Sequence, residues 1–201
     1  MFTGIVEEVG HLREVVAGVG STRVVVEAPL VAAGAAIGDS IALDGACLTV
    51  VDTGEGWWAA DVVAETLSRT TLGSKAPGDP VNLERPMRPD GRFAGHLVQG
   101  HVDGVGEVVS VAPELVVRVP PQIAAYLVAK GSVTVDGCSL TVVEVTGETF
   151  SVAIVPHTAA VTTLSAKAVG DRVNLEVDVV AKYVERLVGR LVAPAHPAVP
   201  R

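Results

Sequence analysis

Asp44-Gly45-Ala46-Cys47-Leu48-Thr49-Val50-Val51 returns later in the chain as Asp136-Gly137-Cys138-Ser139-Leu140-Thr141-Val142-Val143. Six of the eight positions are identical, at a spacing of 92 residues. The same spacing relates Thr70-Thr71-Leu72 to Thr162-Thr163-Leu164, Lys75 to Lys167, and Gly78-Asp79 to Gly170-Asp171. It also relates Val81-Asn82-Leu83-Glu84 to Val173-Asn174-Leu175-Glu176. One register held over so many positions marks an internal duplication, which governs how every other element is read. Further upstream the spacing is 96: Gly4-Ile5-Val6-Glu7-Glu8-Val9-Gly10 aligns with Gly100-His101-Val102-Asp103-Gly104-Val105-Gly106. The second copy has therefore lost a net four residues (96 − 92) between Gly106 and Asp136, a change expected in a loop.

Within each copy, short Val-rich runs alternate with Gly, Pro, Asp and Ser, the pattern of strands separated by tight turns. The predicted strands of the first copy lie near 3–16, 22–28, 40–43, 46–52, 57–63 and 80–84. Those of the second lie near 100–110, 114–119, 132–135, 138–145, 149–155 and 172–177. The Asp-Gly pair in each copy reverses the chain between two of these strands. Short helical stretches are expected at 29–36 and 65–72, and again at 121–129 and 157–164. Composition agrees. Hydrophobic residues make up 49% of the chain but aromatics only 3%, so the core is Val, Ala, Leu and Ile, which suits sheet. Twenty-one Gly and 12 Pro supply the turns. Six short strands per copy close naturally into a small barrel, because closure removes sticky edges. The expected fold is all-β: two tandem six-stranded β-barrels with short helices and a C-terminal α-helix.

The expected divisions are a first barrel at 1–90, a linker at 91–97, a second barrel at 98–177, a helix at 178–192 and a flexible, proline-rich tail at 193–201. In the helix Val180, Tyr183, Val184, Leu187 and Leu191 fall at helical spacing, with no counterpart after the first copy. Docking back on its own barrel is the plainer reading. Association with the same helix of other subunits is the favoured one.

Net charge is −8, and no basic stripe marks a nucleic-acid surface. No apolar run approaches a membrane span. The start, Met1-Phe2-Thr3-Gly4-Ile5-Val6-Glu7, lacks the basic and apolar regions of a signal peptide. A cytoplasmic protein with two free thiols, Cys47 and Cys138, is expected. None of the five His stands at zinc-ligand spacing, and neither a dinucleotide fingerprint nor a Ser/His/Asp hydrolase signature is present, so no metal is expected.

What remains are polar residues at repeat-equivalent places. Cys47 and Ser139 occupy one position in the two copies. A Cys at a strand start is often only packing. A Ser there brings a hydroxyl that needs a partner, which favours a binding role. In Gly95-His96-Leu97-Val98-Gln99-Gly100-His101-Val102-Asp103, His101 stands where the first copy has Ile5, an asymmetry that suggests function; a solvated His is the alternative. His96, in the linker, is the weaker candidate. Of Trp57-Trp58, one ring packed and one covering the barrel is expected rather than a stacking platform. Asp178 reads first as the cap of the last helix and second as a catalytic carboxylate.

Together these residues resemble the riboflavin synthase family, α-chain type, a group of tandem lumazine-binding barrels. The marks are Met1-Phe2-Thr3-Gly4-Ile5-Val6, Gly45-Ala46-Cys47-Leu48-Thr49-Val50, the segment from Gly95 to Asp103, Asp136-Gly137-Cys138-Ser139-Leu140-Thr141-Val142, and Val173-Asn174-Leu175-Glu176-Val177-Asp178. The resemblance implies Greek-key barrels, a homotrimer held partly by the C-terminal helices, and no cofactor. It implies dismutation of two molecules of 6,7-dimethyl-8-ribityllumazine by four-carbon transfer, giving riboflavin and 5-amino-6-ribitylamino-uracil. Lumazine synthase, which makes the substrate, is a further candidate partner. Each barrel would hold one lumazine, with the N-barrel of one subunit facing the C-barrel of the next. By resemblance the N-barrel contacts are Gly4-Ile5-Val6, Cys47-Leu48-Thr49 and Asp61-Val62-Val63-Ala64-Glu65-Thr66. The C-barrel contacts are Gly100-His101-Val102, Ser139-Leu140-Thr141 and Ala153-Ile154-Val155-Pro156-His157-Thr158. Lys130 would reach a ligand shared with a neighbouring subunit. Ser40, Cys47, His101, Ser139, Thr141 and Asp178 are the expected contributors to rate. One departure stands out: His157 replaces the carboxylate that matches Glu65. The alternative function is a non-catalytic lumazine- or flavin-binding antenna protein. A purely structural tandem barrel leaves the Cys47/Ser139 and Ile5/His101 differences unexplained.

Overall fold

The computed structural model describes residues 1–192; the expected flexible tail lies outside the described residues. The first copy forms β1 (Glu8–Ala17), β2 (Ser21–Glu27), β3 (Ser40–Leu43), β4 (Ala46–Gly54), β5 (Trp57–Val63) and β6 (Pro80–Glu84). The second forms β7 (Gly104–Ser110), β8 (Glu114–Arg118), β9 (Ser132–Val135), β10 (Cys138–Thr146), β11 (Thr149–Ala153) and β12 (Arg172–Val177). Each set closes into an antiparallel barrel, in the orders β1-β2-β5-β4-β3-β6 and β7-β8-β11-β10-β9-β12. Strand β2 neighbours β5 rather than β3, so the chain crosses the barrel end in a Greek-key connection. Alternation does the sorting. On β4, Leu48 and Val50 point into the core while Cys47 and Thr49 point out. Trp58 is fully buried, as expected of one of the pair, and Trp57 is half-buried.

The Asp-Gly turns have both central residues in the left-handed region: Asp44 at φ 44° and Gly45 at φ 80°, Asp136 at φ 45° and Gly137 at φ 78°. That is the type I′ geometry that matches strand twist. The glycines have a second reason. A Cβ on Gly45 would stand 2.9 Å from the Gly137 nitrogen, because the two turns meet back to back between the barrels. Around them each barrel satisfies the other. Asn82 Nδ2 donates to Asp136 O (2.9 Å) and its Oδ1 accepts from Thr163 N (2.8 Å). Asn174 Nδ2 donates to Asp44 O (2.8 Å) and its Oδ1 accepts from Thr71 N (2.7 Å). Repeat-equivalent residues thus contact each other reciprocally, as at a twofold dimer interface.

The net loss of four falls in the strands rather than the hairpin loop: five residues go from the two arms and one is regained before the helix that follows. Strands β1 and β2 have 10 and 7 residues, β7 and β8 only 7 and 5. Trimming both arms of a hairpin together keeps the inward face inward. The helices are shorter than expected: α1 (Pro29–Ala32), α2 (Ala64–Arg69), α3 (Pro121–Ala124) and α4 (Pro156–Val161), with α2 and α4 each followed by a 3₁₀ turn.

Helix α5 (Val179–Val192) starts where Asp178 Oδ1 accepts from Val180 N at 2.9 Å, so Asp178 is its cap. Lys182 pairs with Asp103 (2.6 Å) and Tyr126 donates to Glu185, which pins the helix to the second barrel. Its apolar stripe does not dock there: Tyr183 is 64% and Leu187 60% exposed. Among the described residues no helix is long and apolar enough to cross a membrane.

Candidate active site

Strand β1 begins at Glu8 and β7 at Gly104, not at 3 and 100 as the pattern predicts. The residues before them leave their own barrels. Phe2 and Val98, which are repeat equivalents, exchange main-chain hydrogen bonds of 2.8 and 3.2 Å. Each segment then turns at a glycine with φ +78°, Gly4 in one and Gly100 in the other. The Gly4 carbonyl accepts from Ser139 N (2.7 Å), and Val6 packs on the core of the second barrel. The Gly100 carbonyl accepts from Cys47 N (2.8 Å), and Val102 packs on the core of the first. The two segments are exchanged.

This corrects the expected grouping. Gly100-His101-Val102 belongs with Cys47, and Gly4-Ile5-Val6 belongs with Ser139. An alignment of repeats pairs equivalent positions; it carries no information on which barrel a crossing segment serves.

Two buried carboxylates hold the exchanged segments. Glu84, at the end of β6, accepts from Thr3 N (2.7 Å), Thr3 Oγ1 (2.9 Å) and Gly4 N (2.9 Å). Glu176, at the same place on β12, accepts from Gln99 N (2.7 Å), Gly100 N (3.0 Å) and His101 N (3.0 Å). Burial raises both carboxyls above the usual range, against these hydrogen bonds. Sequence reasoning used both only to set the register. A charged residue closing the repeated Val-Asn-Leu-Glu, on otherwise apolar strands, was the available signal.

The first half-site is a cavity of about 410 Å³ lined by Ala46, Cys47, Glu65, Thr66, Arg69, Thr70 and residues 100–103. Its volume is within the range of small-molecule sites. Glu65 pairs with Arg69 one helical turn on, at 2.9 Å and well exposed. The thiol of Cys47 is half-buried. Asp61, Val63 and Ala64 are exposed at the adjoining end of β5 and start of α2. Leu48 and Val62 are buried in the barrel core and can offer a ligand only main chain.

The second half-site is centred on Ser139. Its Oγ lies 2.7 Å from His96 Nδ1, so the hydroxyl that needed a partner has one. His96 is 8% exposed and its Nε2 has no hydrogen-bond partner among the described residues. Burial lowers its pKa, and the charge of Asp178 opposes that fall. The place of Glu65 and Arg69 is taken by His157 and Val161, so the ion pair is gone. Ala153, Val155, Pro156 and His157 are exposed and Thr158 half-buried, whereas Leu140 and Ile154 are core residues like Leu48 and Val62. Thr49 and Thr141 are exposed on the outer faces of β4 and β10.

Neither Ser40 nor Lys130 lines the Cys47 cavity of its own chain. Ser40 pairs with Thr49 across β3 and β4 and lines a cavity of about 610 Å³ with Thr3, Ile5, Glu84 and Arg85. Lys130 is exposed in a turn, at φ 68°. Cys138, with its thiol pushed up to about 12 by burial, is a core residue; both cysteines are free. No cluster of His, Cys, Asp and Glu among the described residues is placed to hold a metal.

The lumazine binding domain family matches the chain twice, over residues 3–86 and 99–178. The chain is 53% identical over 196 residues to riboflavin synthase of Mycobacterium bovis, covering 93% of this chain and 98% of that one. It is 44% identical to riboflavin synthase of Actinobacillus pleuropneumoniae and 39% identical to that of Bacillus subtilis, each over 92% of this chain and 89% of the other. The crystal structure of LumP complexed with 6,7-dimethyl-8-(1′-D-ribityl) lumazine has the same fold, with a TM-score of 0.79 at 20% identity over 88% of this chain and 99% of that one. Two closed barrels with exchanged half-sites define a tandem lumazine-binding protein. Within that class, the chain belongs to the riboflavin synthase family.

Proposed function

We propose that each half-site holds one molecule of 6,7-dimethyl-8-ribityllumazine, and that the chain, a riboflavin synthase, moves a four-carbon unit from one molecule to the other. The products are riboflavin and 5-amino-6-ribitylamino-uracil. The observation that carries this reading is a doubled site with unequal chemistry: Cys47 with Gly100-His101, and Ser139 with Gly4-Ile5 and His96. A reaction between two copies of one substrate needs two similar cradles and different groups at the reacting centres.

The acceptor must lose a proton from its 7-methyl group, and the ring delocalises the carbanion that results. His101, exposed at the mouth of the first half-site, suits proton transfer. The Ser139 hydroxyl suits activation of the partner ring. Alignment of two bound rings supplies much of the rate of a reaction that is bimolecular in solution.

Assembly belongs to the proposal. The uncovered stripe of Val180, Tyr183, Val184, Leu187 and Val188 supports a trimer in which the helices pack together and half-sites of neighbouring subunits face each other. Deleting residues from Val179 onward should give folded monomers that bind ligand but turn over poorly, read by light scattering and assay. A truncated protein that stays trimeric overturns this part.

The direct test is to incubate the purified protein with the lumazine and follow riboflavin absorbance with no cofactor added. Turnover supports the reading. Tight binding without turnover favours the non-catalytic antenna type, and absence of binding overturns both.

A further inference from the structure

We infer that His96 is a positioning residue: it holds the Ser139 hydroxyl in one orientation toward the ligand of the second half-site. The inference rests on the functional reading above, and deepens it by giving His96 a role in that half-site.

The first ground is the contact itself. A serine hydroxyl is a free rotor unless something fixes it. Here Oγ is 2.7 Å from Nδ1 of a ring that is itself 8% exposed. Whichever way the proton lies in that bond, the remaining hydrogen-bonding capacity of Oγ is turned away from His96. A preset polar group needs no reorganisation when charge develops nearby.

The second ground is how firmly the ring is held. His96 N donates to Thr3 O at 3.1 Å. Thr3 is in turn fixed by Glu84 through its nitrogen and hydroxyl. A Cβ on Gly95 would stand 1.9 Å from Thr3 O and 3.2 Å from Ser139 Cβ, so the backbone before His96 is wedged between the exchanged segment and β10. A continuous run of contacts leads from Glu84 through Thr3 and His96 to Ser139.

The third ground is that packing does not account for the residue. His96 Nε2 is buried without a hydrogen-bond partner among the described residues. Leaving such a group unpaired costs about 1–3 kcal/mol, which an apolar side chain filling the same space would avoid. The first half-site has nothing comparable: no described hydrogen bond involves the Cys47 side chain.

The test is a mutant cycle on riboflavin formation: His96→Leu, His96→Asn, Ser139→Ala, and the Leu/Ala double variant. Each is also titrated with the lumazine and checked for thermal unfolding. His96→Leu should lower kcat about tenfold or more, with KM changing much less. His96→Asn, whose amide reaches the place of Nδ1, should recover most of that loss. The double variant should be no slower than Ser139→Ala alone, because His96 acts through Ser139. Losses that multiply, an unaffected His96→Leu variant, or an Asn variant no better than Leu each overturn the inference. If His96→Leu does not fold, His96→Gln replaces it, since its amide reaches the place of Nε2 instead. A wild-type protein that binds lumazine but forms no riboflavin overturns the functional reading instead. The same cycle read in lumazine affinity then still decides for His96, non-additive losses supporting it and additive ones overturning it.

Discussion

The Cys47 half-site and the Ser139 half-site share a backbone and differ in their chemistry. In both, a glycine carbonyl from the other copy caps the first outward residue of the fourth strand, and a buried glutamate grips the crossing segment. The first then presents a thiol, a histidine and an exposed Glu65–Arg69 pair. The second presents a hydroxyl held by a buried imidazole, and has His157 and Val161 at the positions equivalent to Glu65 and Arg69. Duplication supplies a second cradle, and exchange of the segments makes each cradle depend on both barrels. Substitution within that frame can then specialise one side without disturbing the other.

The comparison breaks hardest at the crossing glycines. A Cβ on Gly4 would stand 2.6 Å from Ser139 Cβ, and one on Gly100 would stand 2.6 Å from Cys47 Cβ, both at φ +78°. Gly4→Ala should abolish binding at the Ser139 half-site alone and Gly100→Ala at the Cys47 half-site alone. Calorimetric titration should then find one ligand per chain instead of two. Turnover should fall about hundredfold or more in each, because a reaction between two bound molecules needs both sites. Loss at the opposite half-site would mean that the segments are not exchanged.

A smaller effect separates grip from chemistry. Glu176→Gln replaces one acceptor oxygen by a donor facing main-chain N–H groups, and should destabilise the chain by about 1–3 kcal/mol. Hydrogen exchange should speed up at residues 99–101, which Glu176 holds, and leave 3–4 protected. Glu84→Gln should do the reverse.

The smallest effect lies between the barrels. Burial, with the charge of Asp136, raises the Asp44 carboxyl from 3.8 to about 6, against the attraction of Lys75. Between about pH 4 and 6 the native chain keeps a proton there that the unfolded chain has released. The contribution of this group to stability therefore falls as pH rises through that window and is flat above it. Urea unfolding followed across that range should lose part of its pH slope in Asp44→Asn, by at most one proton.

The fold was largely legible in the sequence, because alternation, turn residues and a duplication are local or self-referential signals. The spacing of Asp44-Gly45 and Asp136-Gly137 placed both hairpins to the residue. Cys47, Ser139 and His101 were also legible, through differences between copies that packing did not explain. What stayed hidden was non-local. Nothing in Gly4-Ile5-Val6 says that it leaves its barrel, since the hydrogen bond that draws it away comes from Ser139, many residues distant. His96 looked like a linker residue because its partner lies 43 positions further on. Ser40 and Lys130 rested on resemblance alone, and neither lines the Cys47 cavity of its own chain.

The exchange of segments is tested most directly by a crystal structure with the lumazine bound. The ligand beside Cys47 should touch His101 and Val102 of the second copy, and the ligand beside Ser139 should touch Gly4 and Ile5 of the first. A ligand beside Cys47 lying against Ile5 would contradict the exchange.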